Sequence, residues 1–215
     1  MLFCKAQAEH QEAGMQEVTG MRREIDQAGD GWLWATHVST RVILAEALLL
    51  LALGLAGAMG WMPEELLPRR WHLLLHLLGV TMFLGNILAG AMWMARLGAS
   101  GERVANRYVS VSINVGDIVL TGPGALLLLY NGLVLATVYG GTFATVWLRW
   151  CFLLFAVLGA LWLLVLVPLQ QRLITLADSG EDEAFDRASR LYAFPGAAAG
   201  IIALVVFGLM VLRPG

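Results

Sequence analysis

The chain has 215 residues, 59% hydrophobic and 14% charged, with a mean hydropathy of +0.71. That composition excludes a water-soluble globular domain and predicts a protein whose solvent is the bilayer. A formal net charge of −2 gives no basic surface for neutralising phosphates, so nucleic acid is not an expected partner.

Residues 1–40 mix Glu, Gln, Ala and Arg at helix-friendly spacing but carry too few apolar residues for a core. They read as a polar cytoplasmic tail, loosely helical or disordered, and the internal Met15 and Met21 leave open a start further in. Trp32 and Trp34 before Arg41 suit a chain arriving at the headgroups. Five apolar runs follow within residues 41–215, near 42–62, 71–95, 109–136, 146–168 and 194–212. Each is long enough for the roughly 20 helical residues that cross about 30 Å of hydrocarbon. The runs lack the alternation of barrel strands, and lipid offers a backbone amide no partner, so each must be a helix. The predicted fold class is all-α: a polytopic membrane helical bundle of five transmembrane helices, one N-terminal helix added to a four-helix core. A cleaved signal peptide does not fit, because the first run comes late and is itself of spanning length. The insert "GEDEAFDRASRLYAFPG" predicts an amphipathic turn of helix that stops before Pro195.

Five alternating spans place Lys5, Arg22, Arg23, Arg41, Arg96, Arg103, Arg107, Arg172, Arg187 and Arg190 on one side and Arg69, Arg70, Arg149 and Arg213 on the other. Lysine and arginine favour the cytoplasm. The expectation is an inner, plasma-membrane protein with a cytoplasmic N-terminus and a periplasmic C-terminus.

Polar residues inside the spans are few, and each is costly unless partnered. In the second run His76, Gly79, Phe83, Asn86 and Gly90 share a face; in the third, Asn114, Asp117 and Thr121 do, followed by "GPG" at 122–124, where a kink is expected. Depth decides which can meet. At 1.5 Å per residue Asn86 comes level with Asp117, whereas His76 lies about 10 Å above it. Asn86, Asn114, Asp117 and Thr121 therefore form an expected intramembrane layer, and His72, Tyr130, Asn131 and Arg149 an outer one that His76 joins. Glu46, one turn into the first helix, is expected at the interface near water or Arg41. "GAAAG" at 196–200 reads as a small-residue packing seam.

His72 sits beside Arg69, Arg70 and Trp71, as a headgroup-level residue does. His76 is deeper, with two readings open: a structural hydrogen bond, or haem, metal or proton chemistry. Histidines four residues apart can clasp a metal, but no third ligand is readable, so no metal site is assigned. With His10 and His37 on the opposite side, bis-histidine haem ligation between two helices of the chain is excluded for the outer layer; a His76 pairing with Met210 or Met59 stays open. Asp117 likewise reads either as hydrogen-bonded helix glue or as a proton-relay or cation site.

The stretches "HLLGVTMFLGN", "GDIVLTGPG", "NGLVLA", "WLRWCFLLFAVLGALWLLVLVPLQQRL" and "FGLMVLRP" occur in that order from about Trp71 to Pro214. This ordered set resembles the bacterial predicted integral membrane proteins grouped as domain of unknown function 2269. His76, Asp117, Thr121, Pro123, Trp147, Arg149, Pro168, Gln170 and Arg172 match the positions that pattern emphasises. The architecture is also distantly similar to four-helix membrane proteins of the copper-resistance D type and the membrane protoporphyrinogen oxidase type. That similarity implies haem b or copper as a cofactor class at a histidine near a helix end. No Ser/His/Asp set, phosphate-cradling loop or paired-carboxylate site is readable, so no catalytic residue is assigned. Three functions follow: an accessory or structural membrane protein with a polar intramembrane layer, a haem- or copper-associated redox protein using His76, or a small transporter using Asp117. The expected partner is the lipid bilayer, with room for a homo-oligomer or another membrane-complex subunit.

Overall fold

The computed structural model describes residues 41–61, 63–100 and 103–214. The tail expectations for residues 1–40, with Trp32, Trp34, His10 and His37, lie outside them. The described residues form helices and short turns with no strand, and five helical stretches are long and apolar enough to cross a membrane: Arg41–Ala58, Arg69–Arg96, Ala105–Tyr139, Val146–Ser179 and Asp182–Leu212.

The first span is α1 (Arg41–Ala58) and the second belongs to α2 (Arg69–Ser100). α1 stops four residues short of the expected end at 62 because Gly60 takes the left-handed conformation (φ 83°). The amide of Trp61 then folds back to the Ala56 carbonyl at 2.9 Å, closing the helix end. Gly140 (φ 84°) and Gly180 (φ 77°) end the third and fourth spans in the same conformation, which glycine adopts at no steric cost.

Proline shapes the third and fourth spans. The third comprises α3 (Arg103–Gly116), a π turn over Asp117–Thr121 and α4 (Gly122–Ala136). The fourth comprises α5 (Val146–Leu161), a π turn over Trp162–Leu166 and α6 (Val167–Ser179). A proline in a helix interior has no amide to donate and crowds the carbonyl four residues back. Here each π turn absorbs the mismatch: Gly122 donates to the Asp117 carbonyl and Val167 to the Trp162 carbonyl, both five residues back, with Pro123 and Pro168 next in chain. The "GPG" site is thus the first turn of α4 with the π turn just before it, and the fourth helix runs through Pro168 instead of ending there.

The fifth span, α7 (Asp182–Leu212), corrects a second proline expectation: it starts at Asp182 and continues through Pro195. The carbonyl that Pro195 leaves without a donor belongs to Leu191, which is exposed, so no neighbouring helix is disturbed.

The second to fifth spans close a ring: α2 packs on α4 and α7, α3 on α6, and α7 on α5 and α6. In its most apolar window the third span is 50% buried, against 11 to 17% for the other four, which makes it the central element. α1 lies against it, with Ile43 and Ala47 buried in the main core and Gly57 against Leu133 and Phe152. Leucines such as Leu48, Leu55, Leu74 and Leu77 point outward, the surface that lipid covers.

Gly79 and Gly124 let the backbones of α2 and α4 approach closely. A Cβ on Gly79 would come within 2.6 Å of the Leu128 nitrogen and 2.7 Å of the Gly124 oxygen, and one on Gly124 within 3.0 Å of the Gly79 oxygen. Within the "GAAAG" stretch Ala199 is buried, with Ala203 one turn on; a Cβ on Gly200 would lie 3.9 Å from Ile87 of α2 and one on Gly196 3.7 Å from Tyr192 of its own helix, so neither glycine marks a close backbone approach. Gly90, placed by periodicity on the packed face of α2, has open space around it.

Candidate functional site

The two π turns face each other. Asp117 and Trp162 each open a turn, each six residues before a proline, and Trp162 Nε1 donates to Asp117 Oδ2 at 3.0 Å. A π turn re-aims its side chains relative to a continuous α-helix, and such turns recur at functional positions. This one aims the Asp117 carboxyl into the bundle, where the residue is 6% exposed.

Four donors converge on that carboxyl. Oδ1 accepts from Asn86 Nδ2 at 3.0 Å and from Thr121 Oγ1 at 2.8 Å; Oδ2 accepts from Trp162 Nε1 and from Gln170 Nε2 at 2.7 Å. Asn86 Nδ2 also donates to Thr121 Oγ1 at 2.8 Å, and Gln170 Nε2 to the Tyr192 hydroxyl at 3.1 Å. The second, third, fourth and fifth spans therefore meet in one hydrogen-bonded layer. Gly116 makes room for it, since a Cβ there would come within 2.5 Å of Asn86 Oδ1. Gly116→Ala should displace Asn86 and lower the thermal midpoint of the detergent-purified protein by several degrees, with little effect if Asn86 carries no strain-sensitive bond.

Of the expected layer, Asn86, Asp117 and Thr121 come together; Asn114 is buried one turn away, its Nδ2 without a hydrogen bond among the described residues. Trp162 and Tyr192 were not readable as members, and Gln170 entered only through the family resemblance. A spacing did carry the signal: the six-residue step to proline is the same from Trp162 as from Asp117.

Glu46 is the largest correction. It is 8% exposed, not interfacial, and its carboxyl fills the place a Cβ of Gly122 would occupy. Glu46 Oε2 is buried without a hydrogen-bond partner among the described residues, and the group lies within electrostatic reach of Asp117. Docking of α1 onto the bundle buries one face of that helix, Ile43, Glu46 and Ala47 together.

The outer residues divide. His72, three residues after the start of α2, is 1% exposed, turned into the protein. Its Nδ1 lies 2.8 Å from Asn131 Oδ1, and the Leu67 amide donates to Nε2 at 3.3 Å. Asn131 Nδ2 donates to the Leu127 carbonyl, which leaves Oδ1 to accept, so Nδ1 of His72 carries the hydrogen and Nε2 its lone pair. Both ring nitrogens are then occupied, and His72 has no lone pair left for a metal. Tyr130 is half-buried without a hydrogen bond among the described residues, and exposed Arg149 donates to the Phe143 carbonyl at 3.0 Å, so neither joins the His72–Asn131 pair. His72→Leu should cost about 1–3 kcal/mol, because it strands the Asn131 oxygen and the Leu67 amide. Tyr130→Phe should leave the melting temperature unchanged.

His76 packs higher in the bundle than Asp117. Its Nδ1 donates to the Leu128 carbonyl at 2.8 Å, eleven residues and about 16 Å along the third span from Asp117. The ring lies against Gly132, where a Cβ would come within 3.2 Å of it. It lines an apolar cavity of about 630 Å³, as do Phe83, Trp147 and Met210, with Arg69 and Arg70 among the lining residues at the end of α2. Arg213 closes the same end, donating to the Tyr139 hydroxyl at 3.0 Å and lying 5.9 Å from the Tyr139 and Trp147 ring centres. Met59 is 87% exposed and lines no part of this cavity, which removes it as a partner for His76.

No curated protein and no solved structure matches the chain. Residues 72–214 match the family described as predicted integral membrane protein (DUF2269), the segment that holds His72, His76, the whole Asp117 layer and both π turns but not α1. With about two thirds of its length in that match, the chain belongs to this family of integral membrane proteins of unknown function.

Proposed function

We propose that this protein is an accessory, non-catalytic membrane protein of the inner membrane whose Asp117 layer locks the bundle. The observation that carries this is the saturation of Asp117: four donors from three spans occupy both oxygens. Little lone-pair capacity remains for a substrate, and Asn86, the other candidate lining residue of a path, is spent on the same group. This favours the lock over a transport route past Asp117.

The test is an apolar replacement of the layer as a unit, Asn86→Leu, Asp117→Leu, Thr121→Val and Gln170→Leu together. Buried ionic or polar clusters exchanged as a whole for apolar side chains are often tolerated. A lock predicts that the variant accumulates in membranes and complements a deletion strain. A folded variant that fails to complement would assign the layer a chemical role. The N-terminus is cytoplasmic and the C-terminus periplasmic in this reading, on the distribution of Arg and Lys. Reporter fusions after Gly215 and in the 97–102 connection should report opposite sides.

His76 supports a second reading, a haem-associated protein. Its Nδ1 is held by a backbone carbonyl, which fixes the tautomer with the lone pair on Nε2, the usual arrangement behind a ligating imidazole. It lines a cavity in the size range of small-molecule sites, with Met210 in the wall and arginines at one end. Absorption spectroscopy of the purified protein separates the two readings. A Soret band lost in His76→Ala supports the second; protein purified from haem-replete cells without the band removes it.

A further inference from the structure

Asp117 accepts four hydrogen bonds, the full capacity of an ionised carboxylate, and three of the donors, Asn86, Trp162 and Gln170, are N–H groups that cannot accept in return. A protonated Asp117 could donate only to the Thr121 hydroxyl, by reversing that bond, so the donor set as it stands favours the ionised form. Glu46 is the reverse case. Its Oε2 is buried beside the same π turn and receives no donor, and the Gly122 amide beside it is already committed to the Asp117 carbonyl. A second buried atom of the cluster is also without a partner: Gln170 Oε1, in a side chain 3% exposed whose Nε2 is tied to Asp117 and Tyr192.

Two carboxylates within electrostatic reach of each other in a low-dielectric interior repel, and only one of these is supplied with compensating donors. We propose that Glu46 and Asp117 form a proton-binding site in which Asp117 is the permanent anion and Glu46 carries the exchangeable proton as a neutral acid. A proton suits the site better than a metal cation. Asp117 has no free lone pair to coordinate one, and the remaining acceptors, Glu46 Oε2 and Gln170 Oε1, are too few for the six or more oxygens that hard cations collect. The charged group within electrostatic reach of Glu46 is Asp117 of the third span; Arg41, at the start of its own helix, is exposed. The group near it is thus an anion, not a cation that would hold Glu46 charged. The exposed start of α1 lies a little over one turn from Glu46, so the proton is expected to exchange from that side. Losing it would place an uncompensated charge against Asp117 and loosen α1, the helix that lies outside the matched family segment.

The experiment is infrared difference spectroscopy of the full-length protein in detergent, wild type against Glu46→Gln, in light and heavy water. The proposal expects a carbonyl stretch of a buried neutral carboxylic acid that shifts in heavy water and is absent from Glu46→Gln. Absence of the band from wild type, or its persistence in Glu46→Gln, overturns it. Should Glu46→Gln not fold, the wild-type protein is treated with dicyclohexylcarbodiimide, which adds to neutral buried carboxyls, and the adduct is mapped by mass spectrometry. Modification of the Glu46 peptide supports the site; an adduct at Asp117, or none at either residue, overturns it. Neither result depends on the accessory reading, which stands or falls on complementation.

Discussion

Asp117→Ala should lower the thermal midpoint of the purified protein by on the order of 10 °C. The substitution removes three hydrogen bonds between spans, from Asn86, Trp162 and Gln170, and one within the third span, from Thr121. Inter-helix hydrogen bonds in membranes average about 0.6 kcal/mol each, which alone gives only about 2 kcal/mol. The larger effect is the set of donors left behind in a buried site, each costing roughly 1–3 kcal/mol if it cannot turn to another acceptor. Thr121 can rotate to a backbone carbonyl; the indole of Trp162 cannot. A total of about 3–5 kcal/mol is therefore expected, and for a chain of this size each kcal/mol corresponds to roughly 2–4 °C. Asp117→Asn should fall between, since it keeps one acceptor oxygen for Asn86 and Thr121 but aims an amide hydrogen at Trp162 and Gln170. If Asp117→Ala melts within about 2 °C of wild type, the layer is not a lock.

Gly79→Leu should abolish accumulation of folded protein, and Gly79→Ala should cost about 1–3 kcal/mol. The atoms a new Cβ would meet, the Leu128 nitrogen and the Gly124 oxygen, are backbone and cannot rotate away. α2 and α4 would have to separate, and the His76–Leu128 and His72–Asn131 hydrogen bonds cross that same seam. Two positions in the same helix provide the control. Gly85 and Gly90 have nothing within 4 Å of an added Cβ, so Gly85→Ala and Gly90→Ala should be neutral or stabilising by up to about 1 kcal/mol through helix propensity. Thermal melts of the three alanine variants decide the matter: equal effects at 79, 85 and 90 would mean that close backbone approach plays no part.

Much of this arrangement was legible residue by residue. The level of Asn86 against Asp117 follows from counting rise along antiparallel helices, and the two do hydrogen-bond. The offset of His76 follows from the same count. What misled was local punctuation. The fourth apolar run ends at 168, and the residue before Pro195 is one whose helical dihedrals proline disfavours, yet the fourth span carries Pro168 just after a π turn and the fifth carries Pro195 beside an exposed carbonyl. Glu46 was misplaced because distance from the end of an apolar run stands for depth only when the neighbouring helix starts at the same height. The third span extends to Ala105, so a residue one turn into α1 meets Gly122. His72, beside two arginines, gave no sign that Asn131 and the Leu67 amide would draw it inside.

The amino-acid sequence by itself determined that this is an all-helical protein with five helices able to span a bilayer, because apolar run length and the need to satisfy every backbone amide leave no other solution. It also determined which few polar side chains had to find partners. Which partners they found was decided only in the tertiary structure. Two proline-driven π turns rotate Asp117 and Trp162 toward each other, and the docking of α1 carries Glu46 to the same place. Those are consequences of how separate spans meet, and no single span encodes them.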